Sequence, residues 1–377
     1  MFCFGKIESF WNLRLALCVI GCRKKPMNDL IKKRNYSAAV ISWLAIVCLL
    51  VFAMVIIGGL TRLTESGLSM VEWKPLLGSI PPLSEQQWLE VFHKYQQYPQ
   101  YRLLNHGMSL HEFKYIFYWE FFHRLLGRLI GIVYLIPFIF FLKAQVFSKT
   151  LSKRLWLGLA LGGLQGLMGW YMVKSGLIDN PFVSHFRLAA HFGLALLIFC
   201  FLFWQILLVS LPTQTKHVHA FSAAPSIWIF FTTICFQILY GAFTAGLDAG
   251  LGYNTFPKMN GEWVPEALAK SSMGILSLLF EKVGVQFVHR YFAFVVIAVF
   301  IWLIYSYLKR SHLYTQLYRN ALVITSMVLI AQFSLGVYTL LNAVPIAAAS
   351  FHQAGAFALL SCGLVLVYLS RNNLALK

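Results

Sequence analysis

Apolar and polar positions fall in long blocks along this chain. Eight apolar runs, roughly 38–58, 116–142, 155–173, 185–210, 224–245, 284–308, 321–341 and 346–369, lie between polar stretches. Each comes near the length of about 20 residues that a helix needs to cross a bilayer core. The pattern predicts an all-α integral membrane protein with eight transmembrane helices. Two of the polar stretches, residues 59–115 and 246–283, are long. Loops of that length in a compact protein usually carry function.

The chain also resembles itself across its midpoint. Glu120-Phe121-Phe122-His123-Arg124 recurs as Gln286-Phe287-Val288-His289-Arg290, and His191-Phe192-Gly193 recurs as His352-Gln353-Ala354-Gly355. Gln165 to Gly169 in the third run matches Gln332 to Gly336 in the seventh, and Gln237 with Gly241 repeats the theme in the fifth. The repeat predicts two pseudo-symmetric four-helix bundles related by a parallel two-fold axis, a duplication familiar in membrane proteins. The N-terminal half would occupy 38–210 and the C-terminal half 224–370, joined by a linker over 211–223. Gly162, Gly163, Gly166 and Gly169 read as positions of close helix packing. Residues 1–37 and 371–377 form tails. The run from Leu13 to Ile20 is too short to span, and residues 1–26 read as an over-extended frame with translation starting at Met27, rather than as a signal-like segment.

Composition agrees with a membrane protein: 59% of residues are hydrophobic and 12% charged. A net charge of +18 could suggest nucleic acid. The charge, however, concentrates in the tails and in short loops, as in Lys32, Lys33 and Arg34, then Lys143, Lys149, Lys153 and Arg154, then Lys309, Arg310 and Arg319. There it is a topology signal that puts both termini in the cytoplasm and the two long segments on the opposite face. A bacterial inner membrane is the expected location, because residues 1–26 lack the Ser/Arg richness of a transit peptide; a mitochondrial inner membrane is the alternative. The seven cysteines form no CxxC, which argues against a zinc or redox pair.

Four histidines change the picture. His123, His191, His289 and His352 each lie one to two turns into an apolar run, on what the charge pattern makes the outer side. Ionisable groups inside a membrane are costly and usually functional. A neutral imidazole is a strong axial ligand for iron, and cofactors of helix bundles are held between facing helices. The prediction is two bis-histidine iron sites, His123 with His191 and His289 with His352. For any one of them a histidine bonded to a neighbouring helix is the simpler alternative; four in register favour iron. Arg124, Arg128 and Arg290 suit heme propionates, which guanidinium groups bind in bidentate fashion, while Arg187 is balanced between that role and snorkelling. Glu120 lies three residues before His123, on the same helix face, and Gln286 stands in its place in the second half. The difference predicts proton-coupled chemistry in the first half and a resident heme in the second; an ion pair with a nearby arginine is the alternative for Glu120. His93, His106, His111, His217, His219 and His312 fall in loops and are expected to be solvated.

Several stretches carry a family likeness: Gly58-Gly59-Leu60-Thr61-Arg62-Leu63-Thr64-Glu65-Ser66-Gly67, Asn105-His106, Glu120 to Gly127, Arg187-Leu188-Ala189-Ala190-His191, Gly246 to Gly250, Tyr253-Asn254-Thr255-Phe256-Pro257-Lys258-Met259, and His352-Gln353. Over roughly residues 38–370 the chain resembles heme A synthase, in the branch shared by proteobacteria and mitochondria. The other branch has a cysteine pair in the first outer loop, and residues 59–115 contain no cysteine. The resemblance implies successive hydroxylation of the C8 methyl of heme O to a formyl group, giving heme A for cytochrome oxidase. By position it implies that His289 and His352 ligate a resident heme b, that His123 and His191 line the heme O site and meet the substrate iron, and that Glu120 acts beside it. It implies an apolar slot for the isoprenoid tail, heme O synthase as supplier and an external electron donor, such as one of ferredoxin type, and it leaves a homo-oligomer open. Two other classes share the histidines. A diheme bis-histidine membrane cytochrome b has no use for the difference between Glu120 and Gln286, and a heme transporter or chaperone would leave its pigment unmodified.

Overall fold

The computed structural model describes residues 30–32, 34–72, 77–177, 182–211, 225–311 and 314–371. Residues 1–29 with Met27, the residue Trp73, most of the predicted linker with His217 and His219, the loop residue His312 and the last six residues lie outside the described residues. Twelve α-helices occur among the described residues: α1 (Ser37–Leu63), α2 (Glu85–Gln96), α3 (Pro99–Leu103), α4 (Leu110–Lys143), α5 (Lys149–Gly176), α6 (His185–Ser210), α7 (Pro225–Gly246), α8 (Glu266–Ala269), α9 (Ser277–Phe280), α10 (Lys282–Leu308), α11 (Gln316–Leu341) and α12 (Ile346–Arg371). There is no β-strand among them.

Seven of these helices are long and apolar enough to cross a membrane. The fold is therefore an all-α, multi-pass membrane architecture. Helix α5 is as long as the others, at 28 residues, but Gly158, Gly162, Gly163, Gly166, Gly169 and Gln165 dilute its hydropathy. Three helices begin earlier than the apolar runs do, because polar caps rather than apolar residues start them. Ser109 and Glu112 form a reciprocal capping box at the start of α4, Ser148 caps α5 and Thr315 caps α11. Such side chains satisfy backbone N–H groups that the first turn leaves unpaired.

The long helices pack as two rings of four. Helix α1 touches α4 and α6, and α5 lies against both α4 and α6. In the second ring α7 touches α10 and α12, and α11 lies against both α10 and α12. Helices α1, α6, α7 and α12 form the seam between the rings. Phe357 of α12 is fully buried there and meets Phe52 of α1 at 6.2 Å and Phe199 of α6 at 5.2 Å between ring centroids. Away from the seam the helices stay apolar, with Leu49, Leu164, Ile301 and Ile330 exposed. Helices that are apolar all round belong in lipid. Polar links also cross the seam. Gln353 Nε2 donates to Val55 O at 2.9 Å, and Arg62 Nη2 donates to Ala245 O at 2.9 Å and to Asp248 Oδ1 at 2.7 Å.

Among the described residues, 77–109 are structured rather than a loose loop. Trp88, Phe92 and Tyr95 of α2 pack against Phe113, Ile116, Phe117 and Phe121 of α4. Tyr95 donates to Gln100 Oε1 at 3.1 Å and accepts from Asn105 Nδ2 at 2.8 Å, and Gln100 Nε2 donates to Glu65 O at 2.8 Å. Burial pushes the Tyr95 phenol up to about 12, so it keeps its proton and its donor role at neutral pH.

At the corner between α9 and α10, Gly284 sits against backbone. A Cβ there would stand 2.2 Å from Ser277 O and 2.8 Å from Leu278 Cα. Gly284→Ala is expected to destabilise the protein by about 1–3 kcal/mol, the range for forced overpacking. Thermal unfolding in detergent measures it, and a wild-type midpoint would refute the constraint.

Candidate functional site

The four histidines sit on four different helices, His123 on α4, His191 on α6, His289 on α10 and His352 on α12. All are half-buried. An imidazole is wider than an apolar helix interface readily admits, and each ring lies against a glycine of an adjacent helix. A Cβ at Gly58 of α1 would stand 3.0 Å from His123 Cε1, one at Gly169 of α5 would stand 3.0 Å from His191 Cε1, one at Gly241 of α7 would stand 3.1 Å from His289 Cε1, and one at Gly336 of α11 would stand 2.7 Å from His352 Cε1. Sequence reasoning had assigned Gly169 to helix packing. Its neighbour is in fact a histidine ring. Gly162, Gly163 and Gly166 meet nothing within 4 Å at the Cβ position and pack against no helix.

Glutamines complete three of these seats. Gln165 Nε2 donates to His191 O at 3.1 Å and stands 3.3 Å from its Nδ1. Gln237 Nε2 donates to His289 O at 2.8 Å and stands 3.2 Å from its Nδ1. Gln332 Nε2 donates to His352 O at 2.8 Å. The repeated spacing of Gln and Gly was visible in the chain, but nothing in one sequence says that this face meets a histidine.

The histidines come together as two pairs. His289 and His352 have ring centroids 6.5 Å apart with planes at 88°, and His123 lies within electrostatic reach of His191. A metal–imidazole bond is about 2.0–2.1 Å long, so two rings that share one metal on opposite sides set their centroids roughly 6–6.5 Å apart. The His289–His352 separation fits. So do two ring nitrogens, His123 Nδ1 and His352 Nδ1, which are buried without a hydrogen-bond partner. In the first ring Gly162 and Gly166 lie on the face of α5 that carries Gly169, with open space beside them. The donor set and its surroundings suit an iron porphyrin.

Next to each pair, two residues at (i, i+4) hold the adjoining inter-helix segment to its helix. Glu120 is buried. Its Oε2 accepts from Ser69 Oγ at 2.7 Å and from Met70 N at 2.7 Å, and its Oε1 accepts from Arg124 Nη2 at 2.5 Å. Arg124 also donates to Met70 O at 2.8 Å and to Glu72 O at 3.2 Å. The ion pair weighed as the alternative for Glu120 is thus present. In the second half Gln286 Nε2 donates to Tyr253 O at 3.1 Å, and Arg290 donates to Tyr253 O at 2.6 Å and to Lys258 O at 3.0 Å. Arg128 is half-buried one turn beyond Arg124 on α4. Arg187 lies over the Tyr171 ring at 5.1 Å.

His185 did not stand out in the chain. It is buried at the start of α6, where its Nε2–H donates to Leu279 O at 2.9 Å, so it ties α6 to the segment before α10. His106 and His111 are exposed and line an open groove of about 600 Å³ with Asn105, Met108, Glu112 and Tyr115.

A multi-pass helical membrane protein with two histidine pairs seated among its helices defines a class of heme-handling proteins. The family model described as cytochrome oxidase assembly protein, COX15-CtaA, matches residues 41–364, and the chain belongs to that family. Among curated proteins it is 45% identical over 329 residues to the heme A synthase of Nitrosospira multiformis, covering 85% of this chain and 90% of that protein. It is 44% identical to the heme A synthase of Nitrosomonas eutropha, covering 85% and 91%, and 40% identical to that of Flavobacterium johnsoniae, covering 88% and 96%.

Glu120→Gln turns one carboxylate oxygen into a donor that faces either Arg124 or the Ser69 and Met70 donors. Breaking a buried ion pair costs on the order of 3 kcal/mol. The variant is expected to exchange the Met70 amide hydrogen faster than wild type and to unfold at lower temperature. Unchanged exchange at Met70 would show that the couple does not hold this segment.

Proposed function

We propose that this protein converts heme O to heme A, oxidising the C8 methyl to a formyl group by successive hydroxylations, for assembly of cytochrome oxidase. The observation that carries the reading is the opposition of His289 and His352 at the spacing of two axial ligands, in a chain of this family. His289 and His352 would hold heme b, and Arg290 stands beside that pair, where it would meet a propionate. His123 and His191 would take the iron of heme O, with Arg124 and Arg128 on the same helix. Glu120 would act beside that iron. Its ion pair with Arg124 keeps the carboxylate fixed one turn from His123. When bound, the hemes supply the redox chemistry; the chain positions them and excludes water.

Helix α5 is the eighth span. It lies between α4 and α6 in the first ring, as α11 lies between α10 and α12 in the second, and 28 residues rise about 42 Å, enough to cross. The matching order of the two rings supports a pseudo-two-fold relation between the halves. The charge pattern supports cytoplasmic termini and a cell inner membrane. Turnover draws on heme O synthase for substrate and on an external electron donor.

Chromatography of extracted hemes tests the reading, with the protein expressed beside a heme O synthase in a host that lacks heme A. Wild type is expected to yield heme A or its hydroxylated intermediate. Glu120→Ala is expected to lose both products and keep heme b, and His289→Ala to lose heme b. Unchanged heme O beside heme b, with a functional donor confirmed, would instead identify a diheme electron carrier.

A further inference from the structure

We infer that Gln165, Gln237 and Gln332 are positioning residues for three of the four histidines, and that His123, which faces methionine where the repeat supplies glutamine, is the ligand that releases the substrate heme. The inference rests on the reading that both histidine pairs bind heme iron.

On α5, α7 and α11 a glutamine precedes the histidine-facing glycine by four residues, so both point to one neighbour. The glycine admits the ring and the glutamine holds the histidine backbone. The amide has a second capacity. Gln165, Gln237 and Gln332 each leave Oε1 buried without a partner, and a buried acceptor is costly when unmet. A histidine that binds a metal through Nε2 carries its proton on Nδ1, and that proton is normally given to a fixed acceptor. Gln165 and Gln237 already lie 3.3 Å and 3.2 Å from Nδ1 of their histidines. Turning the terminal amide over exchanges Nε2 for Oε1: it gives up the bond to the histidine carbonyl and presents the unmet acceptor to that proton. Gln332 holds the His352 carbonyl at 2.8 Å, while His352 Nδ1 is buried without a partner. Gln332 Oε1 fits against Gly355, where a Cβ would stand 2.2 Å away, one turn from His352 on α12.

The fourth seat departs from the pattern. Helix α1 holds in the first ring the place that α7 holds in the second, and Gly58 faces His123 as Gly241 faces His289. Four residues before Gly58 stands Met54, where α7 has Gln237. The Met54 methyl packs toward Gly127 on α4, and a thioether is only a weak acceptor. His123 Nδ1, like His352 Nδ1, is buried with no hydrogen-bond partner, but His123 has no counterpart of Gln332 four residues before its glycine. Shape alone seats this ring. A resident heme gains from two ligands held in orientation, whereas a heme that arrives as substrate and leaves as product needs one ligand that yields. His191, held by Gln165, keeps the substrate in register, and His123 lets go.

The test uses the purified full-length holoprotein. Gln237→Leu removes the acceptor and is expected to shift the heme b midpoint potential positive, because the ligand becomes less basic. Gln237→Glu strengthens the acceptor and should shift the potential negative, with heme content unchanged in both. A packing role alone does not produce shifts of opposite sign. Heme transfer to apomyoglobin reads the second part. Met54→Gln, loaded with heme O, is expected to release it about tenfold more slowly, and the reciprocal Gln237→Met to release heme b about tenfold faster, the lower end of the effect of such outer partners on metal affinity. The inference falls if the two Gln237 variants leave the potential at its wild-type value or move it in one direction. It also falls if Met54→Gln and Gln237→Met both release heme at wild-type rates. If His289→Ala retains heme b, it is the underlying heme reading that fails; if the histidine variants lose heme and the glutamine variants behave as wild type, only the positioning role fails.

Discussion

A wide polar ring placed between apolar helices needs a notch in the facing helix and a partner for its nitrogens, and lipid supplies neither. Most of this molecule's order follows from meeting that need four times. The helices that carry histidine, α4, α6, α10 and α12, are each matched with one that carries the notch, α1, α5, α7 and α11. These four matches set which helices must be neighbours and at what height. The glycine at 169 on α5 follows as well: a helix that faces a histidine ring gives up apolar bulk there.

The segments outside the helix rings are governed by the same rule. Peptide carbonyls near the bilayer need donors, and arginines one residue after a histidine provide them on both sides, Arg124 for Met70 and Glu72 and Arg290 for Tyr253 and Lys258. One guanidinium thereby fixes the position of the segment beside each histidine pair. In the first half the carboxylate of Glu120 adds two acceptor bonds to Ser69 and Met70. In the second half Gln286 reaches a carbonyl instead.

Much of this was legible in the chain. The apolar runs located every long helix, because in lipid the length of an apolar block and the length of a helix are the same requirement. The four histidines stood out because little else ionisable lies so deep in those runs. The helix starts at Leu110, Lys149 and Gln316 were missed, since they depend on Ser109, Ser148 and Thr315, single polar residues beyond the apolar blocks. The partners of Gln165, Gln237 and Gln332 were illegible for another reason. They are contacts between helices, and which faces meet is a property of the assembled rings, not of any one helix. His185 escaped notice because its partner is a backbone carbonyl, Leu279 O, more than ninety positions away.

Two consecutive glycines on α1 give the seam its meaning. Gly58 makes room for His123, and Gly59 makes room for Gln353, the residue that follows His352 and bonds to Val55 O. A single turn of α1 therefore bears on both histidine pairs, one in each ring. At this point the two rings are welded into one unit. Neither ring can drift in height or rotation without moving a histidine, or the residue beside one, in the other, and the spacing between the two histidine pairs is set by the backbone of α1 rather than by the lipid around it.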